Sequence, residues 1–175
     1  MDSCVLVKPD LSYSEDIRAF RQEMLDAGSS MDGTGPLRRM ESAEDWIAFN
    51  RKLEHRLTVP SNWVISEQFA YVREADHKIV GMIQYRHYFN EYIEKYAGHI
   101  GYSVRPGERR KGYATRMLAD CLKLCRADGL KRVLVACLPE NEGSRRTILA
   151  NGGVYESTVY CEPDKVYLER YWIEP

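Results

Sequence analysis

The sequence predicts an α/β (α+β) fold, a sheet with helices on its faces, and three patterns carry that prediction. Apolar residues recur at helical spacing twice near the N-terminus. From about residue 69 the period shortens to strand-like runs. A strong helical stripe over 112–129 is then followed by the continuous apolar run 133–137. Read along the chain, the order is β, α, α, β, β, β, α, β, α, β, β, which places about seven strands and four helices in one layered unit.

Each element has a local reason. Cys4-Val5-Leu6-Val7 reads as a short strand ended by Lys8-Pro9. Ser14 is expected to cap a helix that carries Ile17, Phe20, Met24 and Leu25 and stops at Gly28. Residues 29–36 hold Gly33, Gly35 and Pro36 without an apolar period, so they read as a loop. Ser42 with Asp45 resembles a capping box, with Asp in the usual Glu place. Behind it Trp46, Ile47, Phe49, Leu53 and Leu57 form an amphipathic stripe. Residues 69–72, 79–88 and 98–104 read as an antiparallel meander whose first turn is Ala75-Asp76-His77-Lys78. In the helix over 112–129, Ala114, Met117, Leu118, Cys121, Leu122 and Cys125 line one face, and Gly129 fits the position just past its end. The run 133–137 is apolar throughout, as expected of a strand covered on both faces. A short helix over 142–150 ends at Asn151-Gly152-Gly153, and strands follow near 154–160 and 166–172.

The chain has 175 residues, the length of one domain spanning 1–175. With 44% hydrophobic residues, 29% charged residues and a net charge of −1, disorder is excluded as the main state. No apolar run is long enough for a membrane span, so no membrane partner is expected. Met1-Asp2-Ser3-Cys4 lacks a basic start, so no signal peptide is expected and the location reads as cytoplasmic. Cys4, Cys121, Cys125, Cys137 and Cys161 are scattered and odd in number, which fits buried apolar thiols rather than disulfides or a zinc site; no metal is expected. The near-neutral total hides an asymmetry. Residues 95–146 hold 12 Lys+Arg and 5 Asp+Glu, a charge of +7, against 13 and 21 elsewhere, a charge of −8. A basic block in an acidic chain points to a small phosphorylated ligand rather than nucleic acid.

That block contains the informative stretch. Val104-Arg105-Pro106-Gly107-Glu108-Arg109-Arg110-Lys111-Gly112-Tyr113-Ala114 joins a strand to the strongest helix. Amides at a helix start have no intrahelical partner, and the helix dipole is positive there. Gly112 lets a ligand approach the backbone, and Arg105, Arg109, Arg110 and Lys111 add attraction, so the junction reads as a diphosphate cradle. It is neither a Walker loop nor a dinucleotide fingerprint.

These residues carry a resemblance. Arg109-Arg110-Lys111-Gly112-Tyr113-Ala114 is similar to the Arg/Gln-x-x-Gly-x-Gly/Ala motif of the GCN5-related N-acetyltransferase (GNAT) superfamily. Val104-x-Pro106 has the spacing that precedes it there. Asn141-x-x-Ser144, with Gly152 eleven residues after the Asn, resembles that superfamily's second coenzyme A segment. His99-Ile-Gly-Tyr-Ser-Val-Arg-Pro and Arg170-Tyr-Trp-Ile also look like a subgroup of bacterial acetyltransferases. The resemblance implies a mixed, mostly antiparallel sheet whose two central strands splay apart to admit the cofactor. It implies acetyl-CoA as acyl donor, with its pyrophosphate on the amides of Arg110, Lys111, Gly112, Tyr113, Ala114 and Thr115, beside Arg109. It further implies that Tyr102, Ser103 and Val104 pair with the pantetheine arm and polarise the acetyl carbonyl. Asn141 would bind the pantetheine, with Ser144 beside it, and Asn141 could equally cap a helix.

Three positions depart from the pattern. The family's tyrosine, seven residues after the Asn, is Ile148, and the aromatic after the helix-ending glycine is Gly153. The family's strand glutamate is Gly98. Proton removal then falls to His99, to Glu91, or to water, with His87 a further candidate near the substrate side. The twelve tyrosines read mainly as sheet packing, with an aromatic acceptor wall as the alternative. The resulting expectation is acetyl transfer to a primary amine by direct attack in a ternary complex, since Cys137 lies in a buried strand. The charge of −8 outside the basic block points to a cationic acceptor such as a polyamine, an aminoglycoside or a peptide amine, and a homodimer is left open. The alternative is a module that binds acyl-CoA without turnover.

Overall fold

The computed structural model describes residues 2–175. Seven strands form one sheet in the order β1-β2-β3-β4-β5-β7-β6. They are β1 (Cys4–Val7), β2 (Ser66–Arg73), β3 (Lys78–Arg86), β4 (Ile100–Val104), β5 (Val133–Cys137), β6 (Val154–Cys161) and β7 (Val166–Ile173). Every neighbouring pair is antiparallel except β4 and β5, which run parallel. Four helices complete the fold: α1 (Ser14–Asp26), α2 (Ala43–Leu53), α3 (Tyr113–Ala127) and α4 (Glu142–Ala150).

Alternation along the strands divides the interior into two layers. On one face Ala70, Val72, Ile79 and Met82 meet Ile17, Phe20 and Met24 of α1 and Trp46 and Ile47 of α2. On the other, Phe69, Tyr71, Val80, Ile83, Tyr85 and Ile100 meet Met117, Leu118, Cys121 and Cys125 of α3 and Ile148 of α4. A register shift between Tyr71 and Val72 keeps both sets pointing inward. The stripe on α3 is therefore core, and its end is a Schellman closure. Leu130 N–H reaches the Cys125 carbonyl at 3.0 Å, with Gly129 at φ 88°.

Several expectations need correction. Ser14 does not cap α1; it is the first helical residue, and Asp10 caps the short 3₁₀ turn ahead of it by accepting from Ser12 N–H. Ser42 does cap α2, accepting from Asp45 N–H at 3.0 Å. The α2 stripe ends at Leu53, and Leu57 is 98% exposed in the following turn. The third strand stops at Arg86, short of Tyr88. The fourth begins at Ile100, because Gly98 stands at φ 69° and breaks the strand.

Candidate active site

The sheet opens between β4 and β5. Their only registered pair is Ile100 with Val135, joined by a bridge from Gly98 to the same residue. Beyond it the strands diverge, and β5 continues by pairing with β7. Arg105 N–H donates to Val80 O at 2.9 Å, so β4 faces β3 at every second residue counted back from 105. That turns the peptide of Ser103 toward β3 and those of Tyr102 and Val104 toward the gap. Of the three residues expected along a pantetheine arm, Tyr102 and Val104 present the free edge.

At the end of β4 a 3₁₀ turn, Pro106–Glu108, leads to the start of α3. Arg110 at φ 65° and Gly112 at φ 77° both take left-handed conformations, which curls the backbone into a nest. Among the described residues, the N–H groups of Arg110, Lys111, Gly112, Tyr113, Ala114 and Thr115 meet no protein acceptor. The first closed turn is Arg116 N–H to Gly112 O. No heavy atom stands within 4 Å of where a Gly112 β-carbon would be, so backbone conformation and open approach, not packing, call for glycine there. Six orphan donors on a helix N-terminus make an anion cradle.

The side chains around it behave differently from the sequence expectation. Arg105 is 1% exposed and points away from the cradle. Its guanidinium binds Asp16 Oδ1 at 2.7 Å, Glu23 Oε2 at 3.0 Å and Ile79 O at 3.0 Å, locking α1 to the sheet. Lys111 is paired at 2.8 Å with Glu108, which also meets Arg73 and Lys78. Burial alone would raise the Glu108 pKa, but these three cations outweigh it and pull it down to about 2. Arg109 reaches Val104 O and Ser29 Oγ. Arg110 alone among the four makes no side-chain hydrogen bond or ion pair within the described residues.

The opposite wall of the gap is the start of α4. Asn141 caps it, its Oδ1 accepting from Ser144 N–H at 3.0 Å, which leaves its Nδ2 donor unused. The Tyr102 hydroxyl meets Ser144 Oγ at 2.8 Å and so spans the gap from β4 to α4. Burial raises its pKa and keeps the phenol protonated. Ile148 is fully buried in the α3 layer. A β-carbon on Gly153 would lie 2.4 Å from Ile148 Cγ2, so the two departures on this side come as a packed pair. Burial also pushes the Cys137 thiol up to about 11.

His99 is turned into the gap by the irregular backbone at Gly98, but its geometry corrects the expectation of a base. Its Nδ1 accepts Leu134 N–H at 2.9 Å, while the His99 backbone N–H donates to Leu134 O at 2.8 Å. The neutral ring therefore carries its proton on Nε2 and has no free lone pair. Burial, with the nearby Arg86 charge, lowers its pKa to about 4. Tilted at 41° against the Phe89 ring, the imidazole bridges β4 to β5 at the point where they part. The strand glutamate that the resemblance implies has no room either: a Gly98 β-carbon would meet Leu134 O at 2.4 Å. Glu91 is exposed ahead of the π-helical turn Ile93–Ala97 and has no hydrogen bond or ion pair among the described residues. Among the described residues no hydrogen bond links it to His99, Tyr102 or Asn141.

Some features of the site had weak sequence signals. The loop over 29–36 lies flat on β4. A β-carbon on Gly33 (φ 72°) would fall 2.0 Å from Gly101 O and 2.6 Å from Tyr102 Cα, so glycine is required where the loop crosses the strand. Arg86 closes the otherwise apolar strand β3 on the same face, a charge out of pattern that could have marked it. Glu67, His87 and Asp128, remote in sequence, also come within 4.8 Å of one another on the α3 face. Both Glu67 oxygens there are engaged, by Lys8 at 2.8 Å and by His87 Nε2 at 2.9 Å.

No helix among the described residues is long and apolar enough to cross a membrane. No curated protein matches the chain in sequence. Solved structures match its fold across nearly its whole length. A ribosomal-protein-S5-alanine acetyltransferase from Vibrio fischeri superimposes with a TM-score of 0.71 at 20% identity, covering 98% of this chain and 91% of that one. The Mycobacterium smegmatis RimJ, in complex with CoA-disulfide, gives 0.73 at 19%, covering 98% and 81%. The Microcin C7 self-immunity acetyltransferase MccE, in complex with acetyl-CoA and AMP, gives 0.70 at 17%, covering 100% and 94%. Residues 37–152 match the acetyltransferase (GNAT) family profile, a span that takes in the gap, the cradle and the cap of α4. The chain belongs to the GNAT acetyltransferase family.

Proposed function

We propose that the protein transfers the acetyl group of acetyl-CoA to a primary amine by direct attack, with both substrates bound together. The observation that carries this reading is the run of orphan amides from Arg110 to Thr115, set beside an opening in the sheet. Those amides and the unpaired Arg110 side chain suit a diphosphate. The free N–H groups of Tyr102 and Val104 and the Asn141 Nδ2 suit an extended amide-bearing arm, which would extend β4 as an added strand. Acetyl-CoA, when bound there, supplies an activated thioester.

The chain's own groups do the rest. Outward backbone donors on β4 are preorganised for an acyl oxygen and cost no reorganisation. The Tyr102 hydroxyl, held protonated beside Ser144, can donate a proton within the gap. No side chain is set up as an acylated intermediate, because the Cys137 thiol is pushed up to about 11 by burial. His99 is not free to take a proton, so the amine loses its proton to solvent at the mouth of the gap. Acetyl-dependent release of free coenzyme A across a panel of amines tests the reading. Amine-dependent release is expected; acetyl-CoA binding without release to any amine would instead indicate a binding module.

A further inference from the structure

The cradle and α4 occupy the α3 face of the sheet, so an amine must reach the gap from the opposite face, where the loop over 29–36 crosses β4. On that face Arg86 lies at the edge of the opening. Its Nη1 donates to Gly98 O at 3.2 Å and Ala97 O at 3.5 Å. Its Nη2 comes within 3.2 Å of where a Gly101 β-carbon would stand, and the amide nitrogen of Gly33 within 3.0 Å of the same point. The guanidinium thus looks out beside the Asp32–Gly33 peptide and the strand that flanks the gap.

Its chemistry is unfinished. Among the described residues Nη2 and Nε meet no acceptor, and no carboxylate pairs with Arg86 within ion-pair distance, whereas Arg105, on the same face, is ion-paired with two. Desolvation pulls the Arg86 guanidinium down to about 10, against the opposing pull of the Asp32 carboxylate and the Tyr92 hydroxyl. A partly desolvated cation with a free N–H edge favours an anion. Asp32, one residue before Gly33, is exposed, and its only hydrogen bond is from Ser30 Oγ at 2.8 Å. The mouth of the gap therefore offers one cation with a free fork and one carboxylate.

We propose that Arg86 binds a carboxylate on the acceptor, so that the acceptor class is an amine bearing a nearby carboxylate, an α-amino acid or close relative, with Asp32 facing its ammonium. This rests on the acetyl-transfer reading and narrows it. It also departs from the cationic acceptor suggested by overall charge, since local donors decide recognition and a diffuse surface charge does not.

The test uses matched triples: leucine, phenylalanine and glutamate, each with its carboxamide and its decarboxylated amine. Two readouts are taken on the full chain, acetyl-CoA-dependent acetylation and protection of coenzyme-A-bound protein in a thermal-shift assay. The expected result is a preference of at least tenfold in kcat/KM, or protection, for the carboxylate member of at least one triple. Arg86→Gln should remove that preference, leaving the carboxamide and acetyl-CoA affinity unchanged, and Arg86→Lys should restore part of it. Equal use of all three members, or an equal fall on all three in Arg86→Gln, would overturn the proposal and leave Arg86 as a cap on the Ala97 and Gly98 carbonyls. Should no compound be acetylated, the transfer reading fails on these acceptors. The thermal-shift comparison still decides the carboxylate site: protection by the acid but not the amide supports it, and no difference refutes it.

Discussion

Replacing His99 with glutamine separates two roles that one histidine could have. In the fold the ring is neutral, its Nδ1 taken by Leu134 N–H, and its pKa is about 4 against an ordinary 6.5, chiefly through burial. The unfolded chain therefore binds the proton more readily, so stability falls as pH drops through the window from 6.5 to 4. From those two values the loss between pH 7 and pH 5 comes to about 2 kcal/mol, and to about 3 kcal/mol once the ring is fully titrated. Urea unfolding of wild type and His99→Gln at both pH values measures it. The difference between the two proteins should narrow by about 2 kcal/mol at pH 5, because glutamine has no proton to gain. The acidic limb of the pH–rate profile should survive in the variant, since the ring is not the base. Identical pH dependence of stability in both proteins would refute a buried neutral His99. Loss of the acidic limb would return it to the role of base.

Three further outcomes follow from the geometry. Arg105→Leu should cost about 2 kcal/mol in unfolding free energy by removing the charge-assisted bonds to Asp16 and the Ile79 carbonyl, with acetyl-CoA affinity in the folded fraction unchanged. Arg110→Ala should do the reverse, and calorimetry with chemical denaturation distinguishes them. Asn141→Asp keeps the cap oxygen but loses the Nδ2 donor, so the melting temperature should hold while acetyl-CoA binding weakens by about 1–3 kcal/mol; Asn141→Ala should also lose about 1 kcal/mol of stability. Gly98→Glu, which installs the carboxylate that the resemblance implies, should fail to fold or melt far lower, because its β-carbon meets Leu134 O at 2.4 Å in a left-handed backbone; a stable, more active variant would contradict the register drawn here.

Much of the fold was legible because periodicity and punctuation agree along the chain. The α3 stripe ends at Gly129 in a Schellman closure, and α4 runs from the Asn141 cap to Asn151, as the pattern implied. The failures have local causes. Leu57 continued the helical period on paper, but the α2 helix had already ended at Leu53. Ser14 had the right chemistry for a cap, but Asp10 starts the turn earlier. The cradle was legible because its backbone role follows from a glycine at a helix start. The direction of Arg105 was not, since a basic residue in a basic loop shows no sign of facing Asp16 on an element 89 residues away. Arg86 shows in the sequence only as a charge closing an apolar strand, and its nearness to Asp32 not at all, because only the crossing of Gly33 over Gly101 brings their segments together.

In the proposed function, backbone amides, more than basic side chains, hold the acyl donor. Its most direct test is a titration of ¹⁵N-labelled protein with acetyl-CoA, followed amide by amide. The largest shifts are expected on Arg110, Lys111, Gly112, Tyr113, Ala114 and Thr115, with Tyr102 and Val104 next and the buried amide of Leu134 little changed. Saturable binding that leaves residues 110–115 unmoved, or no binding at all, would contradict it.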